Sequence, residues 1–504
     1  MTSNDPRTGA RVSSEAVTSA FPPVPFAELV AAVPGSTIRG DAQVAITDVA
    51  FDSREVTRGA VFFCVPGRHV DGHIYATQSV NAGASAFVVE RWLDVEAPQA
   101  LVPTVRGAMG PMSAAAFGHP ASAMTTVGVT GTNGKTTVTY LLASIFDAAG
   151  WTAGVVGTTG ASVAGAPVPL VRTTPEAPDL QRLLARMRDA GVRGAALEVS
   201  SHALEQQRVD GVVFDAAIFT NLSQDHLDYH RTMEAYFDAK ARLFSPDHAR
   251  RALVNVDDPS GRRLWRELEI PATTFGVAAE ADLRARDVVV DRDGVGFTID
   301  GIGIRSRLRG AFNVENLLAA AAAARSLGID DDAIGRGLAS LREVPGRMEP
   351  IEAGQDFLVV VDYAHTPDSI RSVLRASRPL TSGRLILVFG CGGDRDRAKR
   401  SPMGAAATAN ADLSVVTTDN PRSEDPLAII AEIEPGAKEG GGAFVIEPDR
   451  RAAIRLALHE AEAGDVVVVA GKGHEQIQEF RDEVIPFDDR VVAREELQAM
   501  GSRA

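Results

Sequence analysis

The run MTTVGVTGTNGKTTVTYLLASIFDAAG, residues 124–150, constrains this chain more than any other stretch. Its apolar, β-branched opening reads as a buried strand and its close as a helix, with a glycine-rich turn between them. That order makes a phosphate site, because the N–H groups of the turn and the positive end of the helix dipole face whatever sits there. Within TGTNGKTT, Gly131, Thr132, Asn133 and Gly134 are expected to wrap phosphate oxygens and Lys135 to neutralise the β and γ phosphates. Thr136, with Thr137 beside it, offers a hydroxyl to Mg²⁺. The pattern departs from GxxxxGK[ST]: Val129 stands where the first glycine is expected, and the nearby glycines are Gly128 and Gly131. No Asn-Lys pair occurs in the chain, so the guanine-reading NKxD of GTPases is missing and ATP is the better nucleotide. A turn that merely joins strand to helix is the competing reading.

Similar punctuation continues downstream. GAALEV, DAAIFT and RALVNV read as apolar strands, and a further block opens near Pro345 with FLVVVDYAH, RLILVFGCGGD, ADLSVVTTDNPR and DVVVVAGKGHE. Polar residues close these strands, where open α/β sheets collect ligands. Upstream, VAITDVAF, GAVFFCV and ASAFVVE alternate with Gly- and Asp-containing turns. The expected fold is therefore α/β. At 504 residues the chain exceeds one hydrophobic core and should hold about three domains. The expected division is a mobile tail at 1–22, a small N-terminal α/β domain at 23–122, a central P-loop α/β domain at 123–344 and a C-terminal Rossmann-like α/β domain at 345–504. Residues 107–123, with two prolines and three glycines, read as a linker.

Composition excludes several classes. A net charge of −15 disfavours a nucleic-acid or anionic-membrane binder, which needs clustered Lys and Arg. No apolar run approaches the ~18 residues of a membrane span, so no membrane insertion is expected. The N-terminus lacks a basic start followed by an apolar stretch, which makes the cytoplasm the default. Cys64 and Cys391 lack metal-type spacing and read as structural.

TGTNGKTT resembles the nucleotide loop of the Mur ligase family, which also includes folylpolyglutamate synthetases. The resemblance runs from about Asp48 to Arg490, through EVSSHAL, TNLSQDHLDYH and YFDAKARLF. Glu198 ends the strand GAALEV and is a hard oxygen donor suited to Mg²⁺; a solvated glutamate is the alternative. Imidazole is not a preferred Mg²⁺ ligand, yet the resemblance implies that His226 serves as one. His202 is left between an orienting and a structural role. Lys240 reads as a surface lysine on its own, whereas the resemblance implies a carbamate derived from CO₂ that helps position a second Mg²⁺. Thr136, Glu198, His226 and Lys240 are thus the implied metal set, and Lys135, His226 and Lys240 the implied catalytic set.

The resemblance also implies ATP contacts at Asn313, Asn316, Arg347 and Asp362, with His365 beside the last. FDSR and GRHVDGH supply Phe51, Ser53, Arg68, His69 and Val70 toward a UDP-sugar, held by the N-terminal domain. Thr173, Thr174, Ser200, Gln206 and Arg208 match contacts to a muramoyl dipeptide. TDNPRSEDP is the most specific segment: Asp419, Asn420, Pro421 and Arg422, with Arg395, Gly471 and Glu475, resemble a diaminopimelate site. Diaminopimelate exceeds lysine by one carboxylate, and a desolvated arginine fork discriminates strongly for it; a surface salt bridge is the plain alternative for Arg422.

The activity implied is ATP-dependent addition of meso-diaminopimelate to UDP-N-acetylmuramoyl-L-alanyl-D-glutamate through an acyl phosphate. The enzyme would be a monomer with small-molecule partners only, its C-terminal domain closing after ATP binds about a hinge just before Arg347. Two alternatives stand: the same chemistry with L-lysine or another diamino acid, and a non-catalytic ATP-binding regulator.

Overall fold

Each block of apolar strands builds its own sheet. The computed structural model describes residues 21–67 and 70–501. Ala60–Phe63 and Ala86–Val89 are buried on both faces, which is why they read as unbroken apolar runs rather than alternating ones. They pair in parallel with each other and with Asp48–Ala50 and Gln99–Leu101, and Thr37–Arg39 closes one edge antiparallel.

Residues 107–123 are not a linker. Val105–Ala116 is a helix capped by the Thr104 hydroxyl, and Pro120–Ala123 is a single 3₁₀ turn. Met109 and Met112 share a core with Phe26 and Val61 of the first block and with Ala177 and Ala185 of the second. Gly110 marks close approach rather than freedom, because a β-carbon there would land on the Asp210 carbonyl oxygen. The expected tail is also too long at its end: Phe21 is buried, its ring 4.9 Å from that of Phe117. The rest of that tail, residues 1–20, lies outside the described residues.

The second block is a nine-stranded sheet with Thr125–Thr130 flanked in parallel by Gly194–Glu198 and Ala216–Phe219. Outward on one side come Ala252–Asn255, Ala272–Gly276 and Leu283–Arg284, all parallel. On the other, Ala153–Gly157 leads into the antiparallel strands Gly160–Val163 and Ala166–Val168. Lys135–Ala148 and Phe312–Ser326 cover one face, where the fully buried run Ala319–Ala324 allows close helix approach; Ala177–Asp189 covers the other.

The third block is a six-stranded sheet. Leu358–Asp362, Val466–Ala470, Leu385–Phe389, Leu413–Val416 and Ala443–Ile446 run parallel in that spatial order, with Glu349–Pro350 antiparallel at the near edge. A hairpin of Ile477–Glu479 and Val484–Pro486 follows. Cys64 and Cys391 are free and buried. No helix among the described residues is long and apolar enough to cross a membrane.

Candidate active site

The phosphate-type loop forms as its sequence requires, with the strand ending at Thr130 and the helix starting at Lys135. Gly134 caps that helix in the left-handed region, and a β-carbon on it would strike Oδ1 of Asn316. The end of the neighbouring strand fixes the loop: Thr220 Oγ1 donates to Asn133 O at 2.6 Å, and Asn133 N donates to Asn221 Oδ1 at 2.8 Å. Lys135 Nζ folds back on Gly131 O and Thr132 O, both at 2.9 Å.

Lys240, on the helix Met233–Ala241, is not a surface lysine. It is 1% exposed, and its Nζ donates to the same Gly131 carbonyl at 2.8 Å. Burial, then the nearby Lys135 ammonium, push its pKa well below the usual lysine value, against a smaller opposing pull from Asp225. Glu198, 0% exposed at its strand end, accepts from Thr158 N at 2.8 Å and Thr158 Oγ1 at 3.0 Å. His226 holds a left-handed φ of 54° and faces Asp225 Oδ2 at 3.4 Å. Burial brings the His226 pKa down to about 4 despite that carboxylate. His202 lies 4.8 Å away, ring to ring, and is likewise held at about 4 by burial and by the two neighbouring imidazoles.

The third block reaches into the same space. Arg347 Nη2 donates to Thr136 Oγ1 at 3.0 Å while its guanidinium lies 4.5 Å from the centre of the Tyr363 ring. Asp362 accepts from Met348 N and Ala364 N, each at 2.8 Å. Asn316 donates to Asn313 Oδ1 at 2.9 Å, and Asn313 to Arg309 O at 2.7 Å. The loop, Glu198, His226, Lys240, Asn316, Arg347 and Asp362 together line a cavity of about 640 Å³. A cavity of about 760 Å³ between Arg450 and Phe487 carries none of these groups, so volume alone does not single out the site. Among the described residues no three His, Cys, Asp or Glu side chains converge as a metal cage. The hard oxygens present, Thr136 Oγ1 and the Glu198 carboxylate, fit a cation that draws its other ligands from phosphate and water.

Two further clusters hold the remaining candidates. Thr173, which also lines the cavity, meets Thr158 Oγ1 at 3.1 Å. Thr174 Oγ1 donates to Glu198 O at 2.8 Å and accepts from Ser200 N at 3.2 Å. Arg208 donates to Gln206 Oε1 at 2.7 Å and pairs with Glu176 at 3.0 Å. Glu176 itself was not expected; buried, it also takes Arg106 of the first block at 3.2 Å. In that block Ser53 is buried, Phe51 half-buried and Val70 exposed, whereas Arg68 and His69 lie outside the described residues.

The other cluster follows the strand Leu413–Val416. Asn420 Nδ2 donates to Glu475 Oε2 at 2.7 Å, and the buried Lys472 donates to Asn420 Oδ1 at 3.0 Å. Gly471 adopts a φ of 116° against the Asp419 carboxylate. Arg422 is partly buried and pairs with Glu479 at 3.1 Å, while Arg395 is exposed and donates to Asp394 O at 3.2 Å. None of these residues lines the 640 Å³ cavity. Sequence reasoning missed Asp225 and Tyr236, both of which line it, although each stands in a motif segment already singled out.

Comparison with known proteins matches these features. Three family models cover successive parts of the chain: "Mur ligase family, catalytic domain" over residues 45–112, "Mur ligase middle domain" over 129–324 and "Mur ligase, glutamate ligase domain" over 346–473. A UDP-N-acetylmuramoyl-L-alanyl-D-glutamate–2,6-diaminopimelate ligase of Geobacillus thermodenitrificans is 45% identical over 92% of this chain and 98% of its own. Its namesake in Streptomyces avermitilis is 45% identical over 94% of this chain and 96% of its own. A solved structure under the same enzyme name superposes with a TM-score of 0.69 at 35% identity, covering 95% of this chain and all of the other. Loop, fold and full-length similarity agree: the chain belongs to the Mur ligase family of ATP-dependent, amide-bond-forming ligases.

Proposed function

We propose that this enzyme adds meso-diaminopimelate to UDP-N-acetylmuramoyl-L-alanyl-D-glutamate at the expense of ATP, in the cytoplasm and as a monomer. The observation that carries the reading is one cavity lined by Lys135, Lys240 and Glu198 of the second block and Arg347 of the third, with a separate cluster of Asn420, Arg422 and Glu475 in the third block. The same reading assigns residues 23–122 to the UDP-sugar, 123–344 to ATP and 345–504 to the amino acid.

A carboxylate and an ammonium do not condense in water, so the D-glutamate γ-carboxylate first attacks the ATP γ-phosphorus. An acyl phosphate forms and ADP leaves. The α-amine, deprotonated, then attacks the acyl carbon, the amide forms and phosphate leaves. The loop N–H groups and Lys135 stabilise charge on the phosphoryl oxygens, and Arg347 brings a further cation from the third block. Asp362 and the pair Asn313–Asn316 hold ribose and adenine. Arg208, aimed by Glu176, orients the dipeptide, with Thr173, Thr174, Ser200 and Gln206 around it. Ser53, Phe51 and the GRHVDGH loop hold the UDP end. Placement of the two reactants supplies much of the acceleration.

Thr136 and Glu198 would hold one Mg²⁺, and His226 with a carbamylated Lys240 a second; bound there, Mg²⁺ offsets the negative charge of the transferring phosphoryl group. Burial of Lys240 supports the carbamate reading. A neutral Lys240 amine is the form that attacks CO₂; the N–C bond forms, the nitrogen gives up a proton to solvent, and the resulting anion relieves the conflict with Lys135. His226, neutral above about pH 5, is already in the state a metal ligand requires. Arg422 and Arg395 would take the carboxylate that lysine lacks, with Asp419 and Glu475 facing ammonium.

The test is product analysis by mass spectrometry after incubation with ATP, Mg²⁺, the nucleotide dipeptide and meso-diaminopimelate. The UDP-muramoyl tripeptide is expected. ATP binding without product would instead mark a non-catalytic regulator.

A further inference from the structure

The hairpin Ile477–Pro486 lies beyond residue 473, where the match to the family's third model ends. It nevertheless grips the 419–423 segment at four of its five residues. Gln478 Nε2 donates to Asp419 O at 2.8 Å, and Glu479 N donates to Asn420 Oδ1 at 3.0 Å. Arg422 N donates to Glu479 O at 2.9 Å, and Arg481 Nη2 donates to Ser423 O at 2.7 Å. From below, Lys472 Nζ ties the hairpin down through Ile477 O at 2.5 Å. Arg422 sits at a φ of 53°, a left-handed backbone that a non-glycine residue keeps only where its surroundings over-determine it. The Glu479 carbonyl bond supplies that constraint.

The side chain of Glu479 adds something separate. Its Oε2 accepts from Arg422 Nε at 3.1 Å while Gly393 O accepts from Nη1 at 2.8 Å. Nε and Nη1 of the guanidinium are thus each held by protein, and Nη2, which the two donor edges share, makes no hydrogen bond among the described residues. An arginine recognises a carboxylate through geometry as much as through charge, so holding Nε and Nη1 fixes the plane of the group and where Nη2 points.

We infer that Glu479 is a specificity-determining positioning residue: its carboxylate aims Arg422 at the second carboxylate of the diamino acid. The inference rests on the reading of Arg422 given above. It assigns the hairpin a role in selecting the amino acid rather than in binding nucleotide.

Glu479→Ala tests it directly, because both backbone contacts of residue 479 survive the change and only the carboxylate is lost. The KM for meso-diaminopimelate should rise about tenfold, the size of one charge-assisted hydrogen bond, while kcat and the KM for ATP stay within about twofold. Preference for meso-diaminopimelate over L-lysine should fall by the same factor, since lysine has no group for Arg422 to read. Glu479→Gln, which keeps an acceptor, should recover most of the loss. An unchanged or lowered KM for diaminopimelate in Glu479→Ala would overturn the inference, and so would a KM for ATP that rises in parallel. A wild-type enzyme that ignores diaminopimelate would instead overturn the reading of Arg422 and this inference with it.

Discussion

Lys135 and Lys240 point their ammonium groups at one carbonyl oxygen, that of Gly131, at 2.9 and 2.8 Å. Two cations so close, one fully buried, are compatible only if one surrenders its charge. The sequence reads Lys240 as an ordinary helical lysine because, apart from Tyr236 one turn earlier, nothing local signals its burial; its hydrogen-bond acceptor, Gly131 O, stands more than a hundred residues away. Lys240→Met should therefore keep the fold and lower ligase turnover by roughly 100-fold, the scale of losing a preorganised charged group. Added acetate should restore part of it by standing in for the proposed carbamate, and no recovery with any small carboxylate would count against that role. The histidines give a pH signature. Burial holds His202 and His226 at about 4, so between about pH 6.5 and 4 the unfolded chain binds protons that the folded chain does not. Stability contributed by these groups is then present above that window and lost as pH falls through it. Thermal denaturation between pH 7.5 and 5 should show a steeper decline for wild type than for His202→Phe; parallel curves would refute the assignment for His202.

At the scale of elements, continuous apolar strands were legible and the helix within residues 107–123 was not. GAALEV, DAAIFT and the four apolar runs of the third block all became central strands, because burial on both faces leaves an unmistakable apolar run. Val105–Ala116 was misread because Gly107, Gly110 and Pro111 look like linker residues, whereas they serve contact between blocks. The phosphate loop was legible because its chemistry is contiguous. Glu176 was not, since its partners Arg106 and Arg208 lie 70 and 32 residues distant and meet it only in the fold. Gly110→Ala separates the two effects. Alanine in a helix interior gains up to about 1 kcal/mol of propensity, but overpacking against the Asp210 backbone costs about 1–3 kcal/mol. A net destabilisation of about 1–2 kcal/mol in urea denaturation is expected, and a stabilised variant would mean that the two blocks separate easily.

Across the whole molecule, no one block carries the proposed site. The second provides the phosphate loop, Glu198 and Lys240, and the third places Arg347 on Thr136 while building the Asn420–Glu475 cluster outside the nucleotide cavity. The first meets the second at the Arg106–Glu176–Arg208 cluster and through Arg182, which reaches Asp48 at 2.9 Å. ATP cleavage should accordingly depend on substrates held by all three parts. The measurement that tests this most directly is phosphate release from ATP with UDP-N-acetylmuramoyl-L-alanyl-D-glutamate, comparing meso-diaminopimelate, L-lysine and no amino acid. Release that requires the nucleotide dipeptide and is driven by diaminopimelate alone is the result expected. Release driven by lysine instead would contradict the role given to Arg422, and release indifferent to either substrate would contradict the coupling of the three parts.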